Sequence, residues 1–217
     1  MPTEHYMSIS RDNFLKWINK SADVLKENRE YLIELDSAIG DADHGANMDR
    51  GFKAVMTKMP DVTDKDIGTI AKTVGMTLLS TVGGAGGPLY GTFYLQIGMK
   101  SAGKMKLNLE DWAIALEAAV DGIVMRGKAE LGDKTMVDAL TPAVNSLKNS
   151  LNGNTPLGEA LQASADAAKQ GMVETIPMVA KKGRASYLGE RSAGHQDPGA
   201  TSSYLILQVA ADTWADE

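Results

Sequence analysis

Cysteine is absent from the 217 residues, which excludes a disulfide framework and any thiolate metal site. Histidine is almost absent: His5, His44 and His195 are too few imidazoles to favour zinc. Basic residues are in the minority, 22 Lys and Arg against 28 Asp and Glu for a net charge of −6, and they form no stripe. A chain without a basic face lacks the electrostatic footprint that nucleic acid requires. No apolar run approaches the ~18 residues of a membrane span, and the opening MPTEHYMSISRDN has no apolar targeting core. These absences predict a cytoplasmic protein with no nucleic-acid or membrane partner. The length suits a single domain over residues 1–217, with residues 1–9, His5 included, as a flexible tail.

Strand-like alternation is missing too, and apolar residues recur at helical spacing instead. Phe14, Trp17, Ile18 and Leu25 mark a helix capped by Ser10. Tyr31, Leu32 and Leu35 mark a second, which delivers Asp36 near its end. A third spans Asn47 to Met59 and stops at Pro60. Asp64 or Asp66 caps a fourth, Pro88 sits in the first turn of a fifth, and Asn108 caps a sixth that ends at Gly127. Asp133 precedes another, which Pro142 should kink or deprive of a bond. Thr155-Pro156 opens a helix to about Ala180, and Asp197-Pro198 opens the last. The polar stretch Lys181–Asp197 between them reads as a loop. Eight or nine helices with short connections predict an all-α fold with antiparallel neighbours.

Chemistry concentrates in four stretches. Leu35 to Gly51, LDSAIGDADHGANMDRG, puts Asp36, Asp41 and Asp43 within eight positions, followed by His44, Gly45 and Asn47. A solvated turn explains one or two such acids; three at this density call for a hard cation, which takes oxygen ligands. Asp41 and Asp43 stand two apart, so an extended loop would point both to one side. Gly83-Gly84-Ala85-Gly86-Gly87, beside Ser80 and Thr81, is either a flexible connection or a bed of backbone amides for an anion at a helix N-terminus. It is neither a Walker A loop nor a dinucleotide fingerprint, since no Lys-Ser/Thr follows and no strand precedes it. Gly183 to Thr201 carries Arg184, Arg191, His195 and Asp197, and long loops bearing Arg in compact helical domains are often functional. Arg126 to Met136 reads equally as a plain connection or as part of a site.

Four strings, LDSAIGDADHGANMDRGF, GMTLLSTVGGAGGPLYGTF, RGKAELGDKTMVDALTPA and KKGRASYLGERSAGHQDPGATS, together resemble the nucleotide-binding L subunit of dihydroxyacetone kinases, over about Ser10 to Ala211. The resemblance implies an up-and-down barrel of eight antiparallel helices with the nucleotide at one end. It implies Asp36, Asp41 and Asp43 as ligands of two Mg²⁺ ions, the catalytic centre, on ADP or ATP. It implies nucleotide contacts at His44, Gly45, Ala46 and Asn47, and a phosphate-covering loop with Ser80, Ala85 and Gly86. Gly127, Met136 and Arg184 would surround the adenosine, and Asp197, Pro198 and Gly199 would close the site. The loop reads GGAGGP where close relatives often have GGASGP, so Gly86 lacks a hydroxyl for phosphate; altered affinity or loop mobility is expected. The family's division of labour implies a DhaK-type subunit holding dihydroxyacetone. A DhaM-type subunit would pass on phosphate from phosphoenolpyruvate. A transcriptional regulator and a second copy of the chain are further candidate partners. With no K domain fused, the chain should dock onto one. The alternatives are an ATP-dependent L subunit for another substrate, such as a tetrose or a fatty acid, and a nucleotide-sensing regulatory module.

Overall fold

The apolar stripes become the buried faces of helices in the computed structural model, which describes residues 8–214. The helices are α1 (Arg11–Glu27), α2 (Arg29–Ile39), α3 (His44–Lys58), α4 (Ile67–Thr81), α5 (Gly86–Lys100), α6 (Leu109–Gly127), α7 (Met136–Asn152), α8 (Leu157–Glu174) and α9 (Pro198–Trp214). Side-chain caps fix several starts. Ser10 Oγ accepts from Asn13 N at 3.2 Å, and Asp66, not Asp64, accepts from Thr69 N at 3.1 Å. Asn108 and Asp111 form a reciprocal capping box at α6. Thr135 and Asp138 form another at α7, where Asp133 was the expected marker.

Several expectations need correction. Among the described residues there is a short sheet: β1 (Ile9–Ser10) pairs antiparallel with β2 (Lys106–Leu107). Ile9 is fully buried, so the tail does not extend to residue 9; residues 1–7, with His5, lie outside the described residues. Helix α3 begins three residues before Asn47, at His44. Helix α8 stops at Glu174, short of Ala180, because Pro177 disfavours helix before it and supplies no N–H. Pro142 costs α7 a bond, as expected, and the helix runs through it to Asn152. The Asp138 carbonyl, which loses its partner to that proline, lies against α8 at Gly171; a Cβ there would come within 2.0 Å of it. The stretch expected as loop contains a 3₁₀ segment, Arg184–Ser192.

Helix packing runs in a cycle. α1 packs on α3, α3 on α4, and so on in chain order to α9, which returns to α1; α2 lies against α3 and α9. The largest side chains gather where α1 and α6 begin and α9 ends. Trp17 meets Phe14, Trp112 and Trp214 edge-on, with centroids 5.1, 5.6 and 5.1 Å away, and meets Tyr94 at 5.6 Å. Two of the three indoles donate to backbone: Trp17 to Ile206 O at 2.9 Å and Trp214 to Asn13 O at 3.0 Å. The other end of α9, ~24 Å away along its axis, carries the polar residues.

Candidate functional site

Four helix N-termini converge on one cavity of about 200 Å³. Its wall includes Asp43 and His44 at α3, Ala85 and Gly86 at α5, Thr135 and Met136 at α7, and Asp197, Pro198 and Gly199 at α9. A helix N-terminus presents unpartnered N–H groups and partial positive charge, so this convergence favours an anion. At α5 no side chain caps the helix, and Gly84 just before it adopts a left-handed φ of 61°. That leaves backbone amides as the donors there.

The same wall carries the acids. Carboxylate oxygens of Asp36, Asp41 and Asp43 lie within 4.8 Å of one another. Asp36 reaches in from α2 and is buried; its Oδ2 accepts from the backbone N–H of Asp43 at 2.8 Å and of His44 at 3.1 Å. This carboxylate caps α3 and explains its early start. Asp43, at the N-cap position, makes no side-chain cap bond, so its carboxylate is left over. Asp41 pairs with Arg184 Nε at 2.9 Å. The loop is not extended as expected: Ala42, with φ 61°, reverses the chain between the two acids. The donor set is all oxygen, which fits Mg²⁺ or Ca²⁺ rather than a softer ion.

Behind this wall the polar groups are tied to one another. His44 Nε2 lies 2.8 Å from Ser202 Oγ, and Tyr90 OH lies 2.6 Å from Ser202 Oγ and 3.0 Å from Ser203 Oγ. The network joins α3, α5 and α9. Burial holds the His44 imidazole below its ordinary pKa, although Asp36 and Asp43 pull the other way. Burial also pushes the Tyr90 phenol up to about 12. Lys134 is buried, with a left-handed φ of 62°. Its ammonium donates to the carbonyls of Thr175 at 2.7 Å, Met178 at 3.1 Å and His195, tying the end of α8 to the approach to α9. Burial lowers its pKa, opposed by Asp197. Asp197 accepts from Ala200 N at 2.7 Å, capping α9 as expected from the Asp-Pro pair. Burial pushes its carboxyl up to about 7; Asp138 and Asp36 add to the rise, and the Ala200 N–H and Lys134 oppose it.

Residues 38–212 match the DAK2 domain family. The chain belongs to that family. This DAK2 chain is 49% identical over 205 residues to the ADP-binding subunit DhaL of the PEP-dependent dihydroxyacetone kinase of Escherichia coli K12, covering 94% of this chain and 98% of that protein. It is 39% identical over 204 residues to the ADP-binding subunit DhaL of the PTS-dependent dihydroxyacetone kinase of Lactococcus lactis, covering 94% and 98%. Its fold is similar to the crystal structure of the C. freundii dihydroxyacetone kinase in complex with AMP-PNP and Mg²⁺, with a TM-score of 0.69 at 25% identity. That match covers 98% of the DAK2 chain but 36% of the larger kinase chain.

Of the residues singled out in the sequence of this DAK2 chain, the cavity wall brings together Asp36, Asp41, Asp43, His44, Asn47, Ala85, Gly86, Met136, Arg184, Asp197, Pro198 and Gly199. Gly45, Ala46, Ser80 and Gly127 lie outside that wall. Gly45 packs on the Arg29 carbonyl, where a Cβ would come within 2.1 Å, and Ala46 is half-buried in α3. The exposed Ser80 hydroxyl donates back to its own helix at Met76 and Thr77. Gly127 ends α6 against Leu89, which does line the cavity. Leu89, Tyr90, Lys134 and Thr135 are wall residues that were not among the expected contacts. Thr135 was findable as the T-x-x-D capping box before Met136. Tyr90 reads as ordinary helix core, and Lys134 as an ordinary loop charge.

Proposed function

We propose that this cavity holds a magnesium–nucleotide polyphosphate and that the chain is the nucleotide-carrying subunit of a cytoplasmic dihydroxyacetone kinase. One observation carries the reading: a trio of carboxylates and four helix N-termini share one wall. Carboxylates alone call for a cation and helix N-termini alone for an anion; a metal-bound diphosphate satisfies both. Asp36, Asp41 and Asp43 hold two Mg²⁺ ions, with waters and phosphate oxygens completing their coordination. When bound, the ions neutralise the polyphosphate and the charge that develops on the moving phosphoryl group. The amides at Ala85 and Gly86 cover the phosphates, without the hydroxyl of the GGASGP version. Asn47 and His44 donate or accept beside them. Gly127 acts through the wall residue Leu89, and Gly45, Ala46 and Ser80 act from outside the wall. Met136 and Arg184 flank the adenosine, and Asp197, Pro198 and Gly199 close the far rim. Residues 1–217 act as one domain, an up-and-down barrel of eight helices with the nucleotide at one end. The cyclic packing of α1 and α3–α9 supports that description, as does the gathering of the α3, α5, α7 and α9 N-termini at one cavity.

The phosphoryl acceptor is dihydroxyacetone carried by a DhaK-type subunit, and a DhaM-type subunit recharges the nucleotide from phosphoenolpyruvate. The likeness to subunits named PEP- and PTS-dependent supports this donor. The test is reconstitution. Dihydroxyacetone phosphate should form when DhaK-type, DhaM-type and phosphoenolpyruvate-charged carrier proteins are added together, and not when this chain is omitted. Failure of the chain to bind ADP in the presence of Mg²⁺ overturns the reading.

A further inference from the structure

We propose that Arg50, which nothing above places in the cavity wall, is a positioning residue: it orients the Asn47 amide toward the nucleotide and fastens the glycine loop beside it. The inference rests on the nucleotide reading. Arg50 lies one turn beyond Asn47 on α3. Its Nη2 donates to Asn47 Oδ1 at 2.6 Å, and its Nε donates to the Thr81 carbonyl at 3.1 Å. Thr81 is the last residue of α4, immediately before the loop that carries Gly83 to Gly86. One guanidinium thus spans α3 and the root of the glycine loop.

The orientation of the amide follows from chemistry. A guanidinium has donors only, so the Asn47 atom facing it has to be the carbonyl oxygen. That leaves the Asn47 N–H₂ as the group presented elsewhere, and Asn47 lines the cavity. A donor is the polarity that phosphate or ribose oxygens need. The loop closes over the same pair: a Cβ on Gly83 would come within 3.2 Å of Asn47 Oδ1 and 3.3 Å of Arg50 Nη2. The Gly83 backbone therefore rests on the clasp. A lysine at position 50 has a point charge and lacks the rigid fork that reaches two acceptors at once.

A double-mutant cycle on Mg·ADP affinity tests this, using Arg50→Met, Asn47→Ala and the double variant of the full chain. Arg50 is exposed, so Arg50→Met should fold. Arg50→Met should weaken Mg·ADP on the order of tenfold, the scale of a charge-assisted hydrogen bond. In the Asn47→Ala background the same change should cost less than about threefold, since its main target is gone. Arg50→Lys should recover only part of the loss. Without nucleotide, amide hydrogen exchange at residues 82–84 should quicken in Arg50→Met, with little change elsewhere. Equal losses in both backgrounds, or unchanged affinity and unchanged loop exchange beside a tight-binding wild type, overturn the clasp alone. A wild-type chain that binds no Mg·ADP overturns the nucleotide reading and Asn47's role with it.

Discussion

The two ends of α9 solve opposite problems. At its C-terminal end Trp214 joins Trp17, Trp112, Phe14 and Tyr94, and the Trp17 and Trp214 indoles donate to backbone carbonyls. That end is filled by the chain's own side chains, although the Tyr94 and Thr213 hydroxyls are buried there without a hydrogen-bond partner. At its N-terminal end three carboxylates crowd together, and one ion pair, Arg184 with Asp41, is the only salt bridge to them among the described residues. Burial there also raises the Asp197 carboxyl to about 7. The aromatic end gains from folding; the acidic end is held in place by folding and completed by what it binds. Between the two runs α5, with Tyr94 in the aromatic cluster and Tyr90, one turn before it, in the hydrogen-bonded network behind the acids. A site held on helix ends by a rigid core keeps its geometry before the ligand arrives.

The contrast breaks first if the ends are not separable. Trp17→Ala should cost about 3–5 kcal/mol in denaturant unfolding, because it empties the centre of the aromatic cluster. Mg·ADP affinity of the remaining folded protein should stay within about twofold. Asp43→Asn should do the reverse. It should weaken Mg·ADP by about a hundredfold, about 3 kcal/mol, seen by calorimetry, while the melting temperature without ligand stays level or rises as repulsion is relieved. A lower melting temperature of similar size would mean that the acids stabilise the fold.

Lys134→Met sharpens the comparison, because this residue is structural although it lies at the functional end. It removes the ammonium from the Thr175, Met178 and His195 carbonyls, of which Thr175 keeps the Met178 N–H, and about 2 kcal/mol of stability should be lost. Hydrogen exchange should rise at Gly194 and Asp197, whose N–H groups bond Ile176 O and Thr175 Oγ1. Taken per pH unit, the smallest expected effect is a slope in stability. Asp197 has a raised pKa in the folded state, so the folded chain holds a proton that the unfolded chain has released. Its contribution is full below the unfolded carboxyl value and is lost as pH rises toward about 7. Asp197→Asn should remove up to about 1.4 kcal/mol per pH unit of that decline, measured as the difference between wild-type and variant unfolding curves from pH 4 to 7.

The helices were legible because their apolar stripes obey one period and their caps obey local rules. Ser10, Asn108 and Asp197 act as caps where the sequence places them. Misreadings arose where a distant group decides. Helix α3 starts early because Asp36, from the preceding helix, caps it. In the site, the acids and the glycine loop stood out by composition. Tyr90 and Lys134 did not, because an aromatic on a helix and a lysine in a loop carry no local mark of a role assigned by tertiary packing.

Calorimetric titration of the full chain with ADP, once with Mg²⁺ and once with a chelator, goes furthest toward deciding the matter. If the acids and the helix N-termini form one site, ADP binds tightly with Mg²⁺ and at least about a hundredfold more weakly without it. Equal affinity under both conditions would mean that the three aspartates are not part of the nucleotide site.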